Sequence, residues 1–241
     1  MALSPVLEPV TRTRSLNARR ALDVVVALAA LILLSPVLTL AAFAVWLEGG
    51  RPIFFSQIRL GQSGRPFSIY KFRKFLKVSA SAGRAVTVHR DPRLTPVGRF
   101  LERTKCDELP QLWNILKGDM SVVGPRPESL SFADCFTGEY RDVLNHKPGL
   151  FGPVQVYFRN EVKLYPQELD PEQFYRQVLF PLKAKIDLSY FRQRTILDDV
   201  WWVFRGVCAV LGFRAFMPAE VRTTVSNALS GPKQQLFESS P

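Results

Sequence analysis

Asp107 and Glu108, here called the acid pair, are adjacent carboxylates at the head of a segment whose pattern predicts a helix. Apolar residues recur at helical spacing after Pro110, and Lys117 and Gly118 indicate where this helix ends. Proline suits a first helical turn because its missing N–H would be unpaired there. A helix N-terminus favours carboxylates, phosphates and reactions that join the two, because it carries partial positive charge and free N–H groups. The acid pair also fits an ordinary acidic helix start without chemistry.

Basic residues are concentrated immediately before the acid pair. From Arg51 to Lys105 the chain has 13 Lys and Arg against two acidic residues, Asp91 and Glu102, so this segment has a net charge of +11. The whole chain, with 32 basic and 21 acidic residues, also carries +11, so the remainder is balanced. Charge focused in this way indicates an anionic partner.

A charge-free apolar run extends from Val24 to Leu47. Its 24 residues are long enough to cross a bilayer as a helix, and they exceed the apolar core of a signal peptide. Ser35 and Pro36 interrupt the run near its middle. Proline there removes one helical hydrogen bond and frees the carbonyl of Ile32, to which the Ser35 hydroxyl is available. The sequence therefore predicts a sharp bend.

Both flanks of the apolar run are basic, whereas a single membrane span leaves one flank poor in Lys and Arg. This pattern predicts a basic N-terminal segment at residues 1–20 and a re-entrant helical hairpin at residues 21–50, with both ends on the cytoplasmic side. A proline-kinked single span is the alternative.

The rest of the chain fits one domain at residues 51–217 and a polar, flexible tail at residues 218–241. Short strands are predicted at residues 52–57 and 66–73, with a turn between them, and helical patterns dominate elsewhere. The predicted fold class is α/β-type, mostly helical with a small antiparallel sheet. The re-entrant hairpin would make the chain a monotopic membrane protein.

Apolar residues recur at helical spacing within residues 196–211 and form a stripe. It predicts a C-terminal helix lying at the membrane interface, and a helix buried in the core fits the stripe equally well.

Arg126 lies between Pro125 and Pro127. Because the two prolines already restrict the backbone, little conformational entropy is lost when the Arg126 side chain is held in one direction. A planar guanidinium held in this way suits phosphate. Pairing with a structural carboxylate is the alternative role for this arginine.

The run from Arg103 to Pro127 resembles the signature of the bacterial sugar transferases, the monotopic phosphoglycosyl transferases that start polyprenol-linked glycan assembly. Four further pieces match the same family in the same order: Ser35-Pro36, Lys71-Phe72-Arg73, Lys147-Pro148-Gly149-Leu150 and Lys185-Ile186-Asp187-Leu188-Ser189-Tyr190. The resemblance covers the chain from about Asn17 to Leu211, and the central motif is long enough to be specific.

This resemblance implies an enzyme that passes a phosphosugar from a UDP-sugar to polyprenol phosphate, releasing UMP. It implies that Asp107 is the nucleophile and that Glu108 helps to hold Mg²⁺. Five cationic residues are implied as phosphate contacts, the last two more weakly: Lys71, Arg73, Arg126, Arg99 and Arg103.

The resemblance also implies contact with membrane lipids at the bacterial inner (cytoplasmic) membrane, with the catalytic domain on the cytoplasmic face. A homo-oligomer is compatible with it, and nucleic acid is not among the implied partners. A non-enzymatic, basic membrane-surface protein that binds anionic lipid or nucleic acid is the alternative function, because it too would need the basic segment.

We expect Asn17 and Arg51 to lie on the same, cytoplasmic side of the membrane, because both flanks of the apolar run are basic and Pro36 breaks it. Single cysteines placed at these two positions, in a chain freed of its native cysteines, should both resist impermeant thiol reagents added outside intact cells. Labelling of either position from outside would establish a true span. Pro36→Ala restores a helical hydrogen bond and should shift the population toward spanning.

Overall fold

The computed structural model describes residues 10–75, 93–166 and 169–213, together with 218–219, 221–223 and 225–227. Its α-helices are α1 (Val10–Leu33), α2 (Ser35–Gly49), α3 (Pro96–Thr104), α4 (Gln111–Lys117), α5 (Pro153–Tyr157), α6 (Pro171–Phe174), α7 (Phe180–Phe191) and α8 (Ile196–Val210). Its strands are β1 (Phe54–Leu60), β2 (Pro66–Phe72), β3 (Ser121–Val123) and β4 (Gly149–Phe151). The chain is mostly helical, as predicted. Most of the predicted tail at residues 218–241 lies outside the described residues.

The strands form two separate pairs. β1 and β2 are antiparallel, with Phe54 opposite Phe72, which confirms the small antiparallel sheet although β1 extends three residues beyond its predicted end. β3 and β4 form a parallel pair that the sequence did not predict, because three-residue strands are too short to show alternation. A Cβ atom at Gly149 would collide with the backbone of Gly124, so glycine permits this close approach.

The two N-terminal helices meet at the predicted break. Ala18–Leu33 and Ser35–Gly49 are inclined by 63°, and the Ser35 hydroxyl donates to the carbonyl of Ile32 at 2.8 Å. Within the described part of the chain no single helix is long and apolar enough to span a membrane, although these two together meet that test as a bent pair. The sharp bend is therefore confirmed, and the re-entrant hairpin in a membrane stays a prediction.

Polar side chains on α1 fix this helix to the domain that follows. Arg20 donates to the carbonyls of Ile115 and Leu116 at 2.6 and 2.7 Å, and so satisfies acceptors at the end of α4. The buried Asp23 carboxylate accepts from the Ser121 hydroxyl at 2.9 Å and from the backbone N–H of Val122 at 2.7 Å. α1 runs without interruption across the predicted boundary between residues 20 and 21, and it belongs to the packed core.

α4 matches its predicted position. Gly118 caps its C-terminal end, and the φ of 90° at this residue lies in the left-handed region that glycine tolerates. Lys105 has a φ of 63° and directs the chain from α3 into a 3-10 turn, Cys106–Glu108. The acid pair therefore precedes α4 as part of a separate turn.

α8 is buried on one face and exposed on the other, and its place at a membrane interface stays a prediction. Thr195 and Asp198 form a reciprocal capping box at its start. Trp202 and Gly206 are buried on the inner face of α8. Large apolar side chains on the outer face are exposed, among them Leu197, Trp201 and Phe204.

Asp23→Ala should lower the free energy of unfolding by about 2 kcal/mol, because it leaves the Ser121 hydroxyl and the Val122 N–H buried without an acceptor. Thermal unfolding in detergent measures the change. Asp142→Ala is the matched control, since Asp142 forms an exposed ion pair with Arg192 at 3.3 Å and such pairs contribute little. Equal destabilisation by the two substitutions would show that Asp23 does not anchor α1.

Candidate active site

Asp107 is almost completely buried, with 2% of its surface exposed. Its Oδ2 atom lies 3.8 Å from the ammonium of Lys74. Its other oxygen, Oδ1, is buried and has no hydrogen-bond partner among the residues that the structure describes. A buried carboxylate oxygen without a donor is costly, and such atoms in folded proteins commonly serve a catalytic or binding role.

Glu108 faces two cations. The Lys71 ammonium donates to its Oε1 atom at 2.8 Å, and the Arg126 Nη2 atom lies 4.0 Å from the same oxygen. The Lys71 and Glu108 side chains are each 17% exposed, so solvent and salt screen their attraction only weakly. The structure thus brings together four of the predicted site residues: Asp107, Glu108, Lys71 and Arg126.

The environments of the two carboxylates push their pKa values apart. Burial, followed by the negative charge of Glu108, raises the pKa of Asp107, and the charges of Lys74 and Lys71 offset part of this rise. Burial alone would also raise the pKa of Glu108, but the charges of Lys71 and Arg126 outweigh it and hold that pKa well below its usual range. Two adjacent carboxylates with opposite shifts are typical of an active site.

Asn114 fixes the distance between the strand that carries Lys71 and the turn that carries the acid pair. This fully buried amide accepts from the backbone N–H of Tyr70 at 3.1 Å and donates to the carbonyl of Ser68 at 2.7 Å. α4 is thereby bonded to β2 on both sides of the buried Ile69, at Ser68 and at Tyr70. The next residue, Lys71, then points at Glu108 because side chains alternate along a strand.

A small polar pocket lies beside Glu108. Its polar lining consists of Arg59, Lys71, Glu108, Gln111, Arg126 and Gln155. Gln155 donates to the carbonyls of Gly124 and Gly149 at 3.0 Å each, which leaves its Oε1 atom buried without a partner among the described residues. The Nε atom of Arg59 is in the same state. Unpaired donors and acceptors beside two carboxylates suit a polar ligand that carries both kinds of group.

Arg59, Gln111, Gln155 and Lys74 were not identified by the sequence pattern. Arg59 had the clearest signal, since it shares the inward face of β1 with Gln57, to which it donates at 2.7 Å. The strand was predicted to end at Gln57, so Arg59 lay outside the predicted strand and its shared face with Gln57 was not recognised.

Arg73 was predicted to contact donor phosphates, and in the structure its side chain lies against α2. Its guanidinium donates to the carbonyl of Val45 at 3.3 Å, and a Cβ atom at Gly49 would lie 2.6 Å from its Nη2 atom. β2 ends at Phe72, although the backbone N–H of Arg73 adds one more bond to the ladder by donating to the carbonyl of Ile53 at 2.9 Å. In this structure Arg73 contacts the end of α2.

Arg99 and Arg103 are exposed on α3, and no hydrogen bond or ion pair joins either side chain to the acid pair. They share one helical face, as expected from their spacing. α3 instead holds Lys74 next to the acid pair, because the carboxylate of Glu102 on α3 pairs with the Lys74 ammonium at 2.6 Å. Lys74 thus bridges α3 and Asp107.

The acid pair supplies few metal ligands. No group of three or more His, Cys, Asp and Glu side chains is arranged to hold a metal in the part of the chain that the structure describes. Mg²⁺ is commonly bound by one or two carboxylates together with substrate phosphates and water. Asp107 with its unpaired oxygen and Glu108 fit that manner of binding, and they do not form a metal cage made of protein alone.

The family model described as bacterial sugar transferase matches residues 14–213. A UDP-N-acetylgalactosamine-undecaprenyl-phosphate N-acetylgalactosaminephosphotransferase of Aeromonas hydrophila is 35% identical over 203 residues, which are 82% of this chain and 44% of that protein. A UDP-glucose:undecaprenyl-phosphate glucose-1-phosphate transferase of Escherichia coli K12 is 37% identical over 78% of this chain and 39% of that protein. A putative undecaprenyl-phosphate N-acetylgalactosaminyl 1-phosphate transferase of Bacillus subtilis is 42% identical over 52% of this chain and 70% of that protein. The chain spans about two fifths of the length of the first two relatives.

Proposed function

Because the chain belongs to the bacterial sugar transferase family, we propose that it transfers a sugar 1-phosphate from a UDP-sugar to polyprenol phosphate at the cytoplasmic face of the bacterial inner membrane. The relatives named above are named for transfer to undecaprenyl phosphate, but their sugars differ, so the family does not specify the sugar. The observation that carries the proposal is the buried Asp107 carboxylate, whose Oδ1 atom has no partner among the described residues.

In the first step, Asp107 attacks the β-phosphorus of the donor. A bond forms between a carboxylate oxygen and phosphorus, and the bond from phosphorus to the oxygen bridging the two phosphates breaks. UMP leaves with that bridging oxygen, and the phosphosugar remains on Asp107 as an acyl phosphate. In the second step, a phosphate oxygen of polyprenol phosphate attacks the same phosphorus, so that the carboxylate is released and polyprenyl diphosphosugar forms.

The cations around the acid pair permit this attack. A carboxylate and a diphosphate are both anionic, and phosphoryl transfer depends mainly on positioning and charge neutralisation. Lys71 and Arg126 already lie at Glu108, and Lys74 lies at Asp107. A donor phosphate that enters the pocket would meet Lys71 and Arg126 together with Arg59.

Magnesium fits the same arrangement. Glu108 and an oxygen of Asp107 would hold the ion with donor phosphate oxygens, in the way that a hard cation prefers. When bound, Mg²⁺ supplies positive charge that neutralises the phosphates during transfer.

Exposed apolar surface supports a location at the membrane. Large apolar side chains of α2 point outward, including Leu40, Phe43 and Trp46, as do those on the outer face of α8. A lipid-linked acceptor has its chain in the bilayer, so a site held against this surface would meet its phosphate. A basic protein that only binds anionic lipid would have no use for a buried carboxylate with a free oxygen, so the enzyme is the better explanation.

Asp107→Asn should reduce transfer to background, because an amide cannot form an acyl phosphate, while donor binding persists. Wild-type protein given donor alone should release UMP in an amount limited by enzyme and should gain the mass of one phosphosugar at Asp107. UMP assay and intact mass spectrometry measure the two results for a panel of UDP-sugars. Cys106→Ser is the control for the neighbouring thiol. An adduct that maps to Cys106, or a substantially active Asp107→Asn protein, would refute the mechanism.

The rate of UMP release should fall as the pH decreases, and the fall should begin above the pH range of an ordinary aspartate. Asp107 must be ionised to attack, and its pKa is raised by burial and by the charge of Glu108. Glu108→Gln removes that charge, so it should move the acid limb of the single-turnover profile to lower pH as well as slow the reaction. The exposed Glu139→Gln serves as control. An acid limb that stays in place or moves to higher pH in Glu108→Gln would contradict the assignment.

A further inference from the structure

A second buried cation, Lys183 on α7, lies behind the arginine of the site. It is 4% exposed. Its ammonium lies 3.1 Å from the Glu161 Oε2 atom and 3.5 Å from the Glu128 Oε1 atom, and it donates to the Tyr175 hydroxyl at 2.9 Å. A buried ammonium requires such partners, so these contacts hold four side chains in one arrangement.

Glu128 connects this cluster to the site through the backbone. It lies two residues after Arg126, with only Pro127 between them, and the ring of Pro127 restricts the backbone there. The Glu128 carbonyl also accepts from the Leu60 N–H at 2.9 Å. The carboxylate that Lys183 binds is therefore rigidly linked to the backbone that aims Arg126.

The charges of two sets of carboxylates act on Arg126. Burial alone would lower the pKa of Arg126, but the charges of Glu108, Glu161 and Glu128 outweigh burial and raise it. Glu108 belongs to the site, whereas Glu161 and Glu128 belong to the interior cluster. The two interior carboxylates thus compete with Glu108, and with any bound phosphate, for one guanidinium.

Lys183 reduces that competition by offsetting negative charge in the cluster. Attraction between buried charges is weakly screened, so two uncompensated carboxylates would draw a guanidinium strongly. Asp187, one turn along α7, also faces Lys183, and burial raises the pKa of this carboxyl well above its usual range.

We propose that Lys183 is a positioning residue for the transfer reaction: by pairing with Glu128 and Glu161 it keeps the Arg126 guanidinium directed at Glu108 and at the donor phosphates. Lys183 touches neither the reacting atoms nor the acid pair. This inference rests on the proposed function, because it assigns Arg126 to the donor.

The test is a double-mutant cycle between positions 183 and 126. Lys183→Met should weaken UDP affinity, measured by isothermal titration calorimetry, and kcat/KM for UMP release by about tenfold each. Arg126→Ala should weaken both quantities more strongly. In the Arg126→Ala background, Lys183→Met should change UDP affinity by less than about twofold, because the arginine through which it acts is gone. Lys185→Met, at an exposed position of the same helix, should match the wild type.

A role in stability alone predicts a different cycle, in which Lys183→Met costs the same with and without Arg126, and that result would overturn the inference. Lys183→Arg keeps the charge and should recover part of what Lys183→Met loses. If Lys183→Met does not fold, the charge-balanced Lys183→Met/Glu161→Gln protein takes its place. In that background the cluster again has its wild-type net charge, so UDP affinity should stay within about twofold of the wild type and Arg126→Ala should cost as much as it does there. A loss of UDP affinity of about tenfold or more in the charge-balanced protein would refute the proposal.

The failure of the proposed function and the failure of this inference give different results. Wild-type protein that releases no UMP from any donor overturns the function and the inference with it. Wild-type protein that turns over, while Lys183→Met behaves like Lys185→Met, overturns the inference alone.

Discussion

The burial of two adjacent carboxylates is the constraint on which this structure depends. Asp107 and Glu108 would repel each other and lose hydration in the folded state, and a buried charge persists only where opposite charge is held close to it. The compensation comes from Lys71 on β2, from Lys74 after it and from Arg126 on the segment after β3. None of these cations lies in the turn that carries the acid pair, so the fold must bring them to it.

That assembly explains why the hydrogen bonds of buried amides matter as much as the charges. Asn114 ties α4 to β2, and Gln155 ties α5 to the backbone on both sides of the parallel pair β3 and β4. Each amide fixes the separation of two elements, and each element carries one group of the site. Ion pairs lie one layer further inward as well, where Lys183 faces Glu128 at 3.5 Å and Glu161 at 3.1 Å.

The N-terminal helices are part of the same assembly. Arg20 binds the end of α4, Asp23 binds the backbone of β3, and Arg73 contacts the end of α2. The helix that follows the acid pair and the strand that leads to Arg126 are thus both bonded to α1. This linkage holds the exposed apolar surface of α2 and the buried Asp107 at a fixed separation, as the proposed transfer to a lipid-linked acceptor requires.

The sequence by itself determined the local features: the break at Ser35 and Pro36, the helix after the acid pair, the small antiparallel sheet and the aimed Arg126. Each depends on neighbouring residues, whose propensities and spacing can be read directly. Tertiary structure alone decided which cations reach the carboxylates. Lys71 reaches Glu108 whereas Arg73 donates to Val45 on α2, and the partners of Lys183 are brought together from three distant segments. Contacts of that kind depend on how elements pack, and residue types in one stretch of chain do not specify it.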